Sequence, residues 1–589
     1  MDDLQGSILA LLRRHPGGLL PGRIREELGL RRGDSRQLRR ILLRMLEGDA
    51  LRKHRGRFLL PSLEPKRGRG LGRHGGASLP LESVEQERAR GMEHLLGEYG
   101  LDAAFPESVL MEADTQAERD PFMRGERRDL SDLRIICIDP ADARDHDDAL
   151  SLEALKDGGH RLGVHIADVA QYVHEGSPLD VEARRRGNST YFYLDTIPML
   201  PQRLSGDLCS LLENKARPAM TVFMNFDARG EIISTEIVES RVQVSASLSY
   251  ERADELLEEP GEFADTLRGL LSLSVLLRAR RSEEGAIHFI LPERVPQEVD
   301  GQVESFGPNK FLRSHAIVEE CMLAANREVA RFLRERKVKT LHRVHERPNE
   351  EDVQQLQAFL EKRGITWKRR GPIRSEDYRR LAAKVSEHED RERLLFKMLR
   401  SMKRAAYGPK PLGHFGLSWE DYLHFTSPIR RYPDLLVHRQ IKAILRNKRG
   451  QEPRDLESLG VELTEVESNS MAAERDGLRL EMTLWARRHM GEIFDMEVQA
   501  VLAGGLIIRL PDSGVESFLP ASLLGDEWFN YEEEHERLRG ERTGKVYASG
   551  DRMKVLLVDA NLFTRRIHFL LEEHSDRGET VQESPPKEH

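Results

Sequence analysis

Carboxylates crowd into ten residues of this chain, within the string IICIDPADARDHDDAL at 135–150, and four of them matter most: Asp139, Asp145, Asp147 and Asp148. At neutral pH such a group repels itself strongly unless a cation occupies the space between its members. The donors are oxygens, with no cysteine and a single histidine, His146, among them. That set suits a hard divalent ion, Mg²⁺ with Mn²⁺ as a substitute, better than Zn²⁺. A solvated Asp-rich turn and a calcium loop are the alternatives. An EF-hand starting at Asp139 would need Gly where Arg144 stands and Glu where Leu150 stands, and other registers miss one or both.

The element that must deliver these acids is the run just before them. Residues 135–138 are β-branched or small and are bounded by Asp139-Pro140. This predicts a buried strand ending in a turn, with Asp139 at the strand end.

The string resembles the signature of the RNB catalytic domain, the exoribonuclease family of RNase II and RNase R. That pattern is Ile-Asp-Pro followed at fixed spacing by Asp and then Asp-Asp, and all four aspartates stand at the family positions. The sequence departs at His146, where the family usually has an aromatic, a change expected to alter packing more than chemistry. A second string, GHFGLSWEDYLHFTSPIRRYPDLLVHRQI at 413–441, is equally specific. The resemblance implies that Arg430 clamps the scissile phosphate with its planar fork, with Arg431 beside it in contact with substrate. It also implies that Tyr191 stacks on a nucleotide near the 3′ end and that Phe289 is the second clamp aromatic. Stacking of this kind tolerates any base. Glu320 matches a glutamate that touches substrate. Glu474 matches one near the 3′-terminal nucleotide, with Ser468 replacing a usual arginine nearby. On the residues alone, the pair Tyr191-Phe192 is as commonly core. His165 and Asp168, on the strand-like GVHIADV, read as satisfied core polar groups rather than ligands. The HxxH of His342 and His345 lacks a third ligand and reads as structural.

The function implied is a metal-dependent, processive 3′→5′ exoribonuclease releasing nucleoside 5′-monophosphates. Two Mg²⁺ ions would be held by some of Asp139, Asp145, Asp147 and Asp148, with Arg430 completing the catalytic group. Two rivals stand beside it. One is a catalytically retired RNB scaffold serving as a nucleic-acid-binding regulator, although all four aspartates are kept. The other is a DNA exonuclease, because recognition of 2′-hydroxyls depends on geometry.

At 589 residues the chain calls for two to four domains. A net charge of −9 does not suggest a nucleic-acid binder, yet 91 Lys and Arg residues imply that positive charge is segregated rather than absent. Cys137, Cys209 and Cys321 are far apart with no CxxC, which points to a reducing compartment. The start MDDLQ is acidic, and no apolar run approaches the roughly 20 residues of a membrane span. A cytoplasmic monomer is expected, with single-stranded RNA bearing a free 3′ end as its partner and no membrane.

The predicted architecture is multidomain α+β. Residues 1–62 read as a winged helix-turn-helix, with apolar residues at helical spacing (Ile8, Leu11, Leu12; Ile24, Leu28; Leu38, Ile41, Leu42, Met45) before a hairpin turning at Gly56. Its third helix carries Arg36, Arg39, Arg40 and Arg44, to meet either nucleic acid or another protein. Residues 63–90, with Lys66, Arg67 and Arg69, read as a flexible basic linker, too short for either of the two cold-shock folds that the family carries there. Residues 91–488 form the RNB domain, a mixed sheet surrounded by helices, in which Ile317, Cys321, Ala324 and Ala325 make one core stripe. Residues 489–574 read as an OB-fold β-barrel of the ribosomal S-one type, with Leu506 and Ile507 where an aromatic usually stands. The polar tail at 575–589 is expected to be disordered.

Overall fold

The computed structural model describes residues 83–572 apart from 123–125, 290–293, 300–301, 370, 389, 448–454 and 534, together with positions 8, 11, 24, 27 and 28 and the backbone of 52–54 and 57–59. The chain divides into two compact units, residues 1–81 and 82–589. In the first, Ile8, Leu11 and Ile24 are helical and buried. Arg52–His54 pairs antiparallel with Arg57–Leu59. The expected third helix, with Arg36, Arg39, Arg40 and Arg44, and the linker residues Lys66, Arg67 and Arg69 lie outside the described residues, as does the tail.

The second unit is organised by a seven-stranded mixed sheet. Its order is Ala246–Ser249, Ile136–Asp139, Asp148–Ala154, His160–Ala167, Ala216–Phe226, Ile232–Gln243 and Arg128–Asp129. The two outermost pairings are parallel and the four between them antiparallel. Apolar clusters cover both faces. Strand Ile136–Asp139 sends Ile136 and Ile138 into one and Cys137 into the other, which is why its sequence is continuously apolar instead of alternating. One face is covered by helices Glu262–Glu283 and Arg313–Glu335, the latter through Ile317, Cys321, Ala324 and Ala325. Leu179 and Ala183 of helix Pro178–Arg186 and Leu459 and Leu463 of helix Leu456–Arg488 pack on the other. The predicted strand at 135–138 is displaced by one residue, and Asp139 is its last position.

Two boundaries differ from expectation. The linker at 63–90 does not extend to residue 90, because helix Val84–Tyr99 begins inside it. Ser83 and Gln86 form a capping box: Gln86 N donates to Ser83 Oγ at 3.3 Å and Ser83 N donates to Gln86 Oε1 at 3.0 Å. Arg88 then docks the helix on Glu481 of helix Leu456–Arg488 through bonds of 2.8 and 2.9 Å. The C-terminal strands do not make one closed ladder. Five antiparallel strands, in the order Glu516–Pro520, Gly505–Arg509, Ile493–Leu502, Arg552–Asn561 and Arg566–Leu571, are accompanied by a separate three-stranded sheet, Phe529–Glu532, Arg537–Gly540 and Val546–Tyr547. Pro520 ends the first edge strand and cannot donate to a ladder. The two edges of the larger sheet are joined by a side chain, Ser517 Oγ donating to Ile567 O at 2.7 Å. Leu506 is fully buried in the core of this region, so its position packs rather than presents a ring. Among the described residues no helix is long and apolar enough to cross a membrane.

Candidate active site

Asp139 ends its strand, the chain loops through 140–147, and Asp148 opens the next strand. The return leg is pinned by backbone bonds. His146 N donates to Ser210 Oγ at 3.1 Å, Leu211 N donates to His146 O at 3.0 Å, and Ala167 N donates to Asp147 O at 2.8 Å. Ser210 Oγ in turn donates to Arg144 O at 3.0 Å.

The second signature string meets this loop directly. Ile429 N donates to Asp147 Oδ1 at 2.7 Å, and Arg430 Nε stands 3.5 Å from Asp147 Oδ2. Arg430 Nη2 also donates to Ser427 Oγ at 3.0 Å. The guanidinium keeps 42% of its side-chain exposure while Asp147 keeps 3%, so a solvent-facing cation caps a buried acid.

Tyr191 arrives from a third segment. Helix Pro178–Arg186 stops at Gly187, whose φ of +65° favours glycine and where a Cβ would come within 2.8 Å of Val466 Cγ1. The chain beyond it is stitched to the arginine turn: Tyr432 N donates to Gly187 O at 2.9 Å and Ser189 N to Arg430 O at 3.0 Å. Tyr191 N then donates to Glu474 Oε1, and Tyr191 OH to Asp145 Oδ2, each at 2.9 Å. The aromatic pair separates by role. Phe192 is buried, with a Cβ on Gly477 leaving it only 2.6 Å, whereas Tyr191 is 38% exposed.

The electrostatics are those of acids short of positive charge. Burial pushes the Asp147 carboxyl well above the usual carboxylate range, against Arg430 and the Ile429 N–H, which lower it. Burial and the Asp139 charge push Asp148 up to about 7. Asp147 Oδ2 is buried with no hydrogen-bond partner. Orphaned carboxylate oxygens of this kind fit a hard divalent cation, which would restore their ionised form.

Two other predicted residues, Glu320 and Phe289, are not brought to the aspartates. Glu320 is buried and bonded to Arg281, with Arg281 Nε 3.2 Å from Glu320 Oε2. It lines a cleft of about 630 Å³ with Arg327, Arg331 and Trp419 whose wall includes none of the four acids. Phe289 packs half-buried on the cluster of Ile287, Trp367 and Tyr378. Arg431 turns inward and pairs with Asp434 at 2.7 Å. Two further groups stand beside these oxygens. Cys137 Sγ donates to Asp139 Oδ2 at 2.8 Å, and His146 Nδ1 lies 2.8 Å from the same oxygen, so His146 acts on the site and not on packing alone. The period of two along a strand was the signal that puts Cys137 beside Asp139. Tyr250 went unremarked in the sequence. It follows Ser249, which pairs with Asp139, and it stacks on His315 at 3.9 Å.

His165 is structural, bonded to Ser151 Oγ and Thr221 Oγ1 at 2.9 Å each. Among the described residues, His342 and His345 belong to no cluster of three convergent ligands.

The match to a known family is broad. The family model described as RNB domain covers residues 127–447. The chain belongs to the RNB-domain family. It is 37% identical to Ribonuclease R of Thermotoga maritima over 80% of its own length and 69% of that protein's. It is 35% identical to Ribonuclease R of Aquifex aeolicus over 84% and 72% of the two chains. The structure of Mycoplasma genitalium RNase R in complex with ribose-methylated single-stranded RNA superposes with a TM-score of 0.76 at 26% identity, covering 82% of this chain and 78% of that one. The enzyme class is that of the 3′→5′ exoribonucleases, which are hydrolases.

Proposed function

We propose that Asp139, Asp145, Asp147 and Asp148 hold Mg²⁺, with Mn²⁺ as a substitute, and that this centre hydrolyses the 3′-terminal phosphodiester of RNA, releasing nucleoside 5′-monophosphates processively. The observation that carries the reading is the contact between the two signature strings, Ile429 N–H and the Arg430 guanidinium converging on buried Asp147. The metal, when bound, supplies an activated water and offsets charge on the leaving 3′-oxygen. The protein's part follows from the geometry. Arg430, exposed beside Asp147, offers its fork to the phosphate as negative charge develops there. Tyr191 presents a ring for stacking on a terminal base, and Glu474 fixes its backbone. Asp145 is held by the Tyr191 hydroxyl, which couples the grip on the base to the acid cluster.

Single-stranded RNA is the substrate class that the RNA-bound Mycoplasma genitalium relative supports. Residues 489–574 would act as an OB-fold that feeds RNA toward the site, and residues 1–62 as a winged helix. The testing experiment offers purified protein and Mg²⁺ a 5′-labelled RNA, the same sequence as DNA, and an RNA hairpin with and without a 3′ overhang. Stepwise shortening of the RNA from its 3′ end, with the DNA intact, is the expected result. Equal digestion of the DNA would make the enzyme a general exonuclease, and no digestion at all would favour a retired scaffold.

A further inference from the structure

Cys137, Asp139 and His146 converge on one point beside the acid cluster. Residues 137 and 139 project to the same side of one strand, and the tethered loop returns His146 to meet them. Cys137 Sγ and His146 Nδ1 each lie 2.8 Å from Asp139 Oδ2, and the ligating atoms of all three residues lie within 4.8 Å of one another. One sulfur, one nitrogen and one oxygen make a donor set for a borderline-soft ion, three protein ligands with a fourth position open to solvent. We propose that Cys137, Asp139 and His146 bind a thiophilic divalent ion, Zn²⁺ or Co²⁺, and that this ion competes with Mg²⁺ for Asp139. The site is reachable, since the side chains of Asp139 and His146 retain 20% and 14% exposure while buried Cys137 closes its inner end. Binding breaks the Cys137 S–H bond, forms a metal–thiolate bond and releases the proton to solvent. The competition, but not the site, rests on Asp139 being a ligand of the hydrolytic Mg²⁺.

The 589-residue chain, stripped of metal with a chelator that is then removed, is titrated with Co²⁺ in the absence of RNA. A near-ultraviolet thiolate-to-cobalt charge-transfer band is expected in the wild type. Cys137→Ser should abolish the band, and His146→Phe should weaken Co²⁺ binding at least about tenfold. Asp147→Asn, which breaks the proposed hydrolytic centre, should keep the band. An inactive nuclease with an intact band therefore fails only the proposed function, and an active one without a band fails only this inference. Should Cys137→Ser not fold, His146→Phe decides alone, because its position is partly exposed. No band in the wild type, a band surviving in folded Cys137→Ser, or unchanged Co²⁺ affinity in His146→Phe overturns the proposal.

Discussion

Asp147 and Asp168 flank the same pair of strands, Asp147 just before Asp148–Ala154 and Asp168 just after His160–Ala167, with Ala167 N donating to Asp147 O at 2.8 Å. Both side chains are buried. Asp168 Oδ2 accepts from Arg127 Nη2 and Lys442 Nζ, each at 2.6 Å. Burial pushes its carboxyl up, but the Lys442 and Arg127 charges outweigh burial and hold it far below the usual range. Asp147 has one N–H and a cation at 3.5 Å that faces solvent, and there burial wins. Where a buried acid serves the fold, the chain supplies its counter-charge. Where the counter-charge is short, the space suits a cation from solution and the phosphate it accompanies.

Substitutions should therefore divide cleanly between activity and stability. The largest effect is expected from Asp147→Asn, with cleavage reduced at least about 10³-fold, RNA binding kept, and the melting temperature little changed, because the amide keeps an oxygen for the Ile429 N–H and removes a carboxyl that burial already disfavours in its ionised form. Single-turnover cleavage and thermal denaturation on one preparation check both halves. Lys442→Met should do the reverse, costing about 3–5 kcal/mol of stability by leaving Asp168 and its neighbours imbalanced, while the folded fraction still cleaves in urea-free buffer. A Lys442→Met protein with wild-type melting would break the comparison.

Arg430→Ala should lower the single-turnover rate about 10²-fold and cost no more than about 1 kcal/mol of stability, since its side chain is 42% exposed. Arg430→Lys should recover only part of that rate, lacking the fork. For Tyr191→Ala the grip on RNA should weaken by about 1–3 kcal/mol, and the length of the final undegraded oligomer should change. An unaltered ladder would remove the ring from the substrate path.

A further effect concerns pH. Asp148, pushed up to about 7 in the folded metal-free protein, titrates near 3.9 when unfolded. Between these values the folded state holds a proton that the unfolded state has lost, so this group's contribution to stability is full below about pH 4 and falls as pH rises to about 7. Urea unfolding in EDTA at about pH 5 and about pH 7.5 should show this decline in wild type and a flatter one in Asp148→Asn.

Local spacing made part of this legible in the sequence. The apolar run before Asp139 announced a strand end, and the carboxylate spacing announced a crowd of acids in want of a cation, whereas the part given to the Ser427–Tyr432 turn came from the family resemblance alone. Partnerships across the fold were not legible. Ile429 and Asp147 are 282 positions apart, and Tyr191 and Glu474 283. Glu320 looked available because nothing near it in sequence shows that Arg281, 39 positions away, claims it. Arg431 is different: Asp434 lies three residues on, a spacing that marks a helical ion pair. The Ser83–Gln86 capping box was likewise local, masked by the charged run around it.

The central claim is that the acids left short of counter-charge form a metal-dependent hydrolytic centre. It is tested most directly by following a 5′-labelled single-stranded RNA with the 589-residue chain in Mg²⁺, in EDTA, and in EDTA followed by excess Mg²⁺. Progressive shortening from the 3′ end is expected in Mg²⁺, none in EDTA, and recovery when Mg²⁺ is restored. Shortening that persists in EDTA, or an RNA that stays intact in all three, would contradict it.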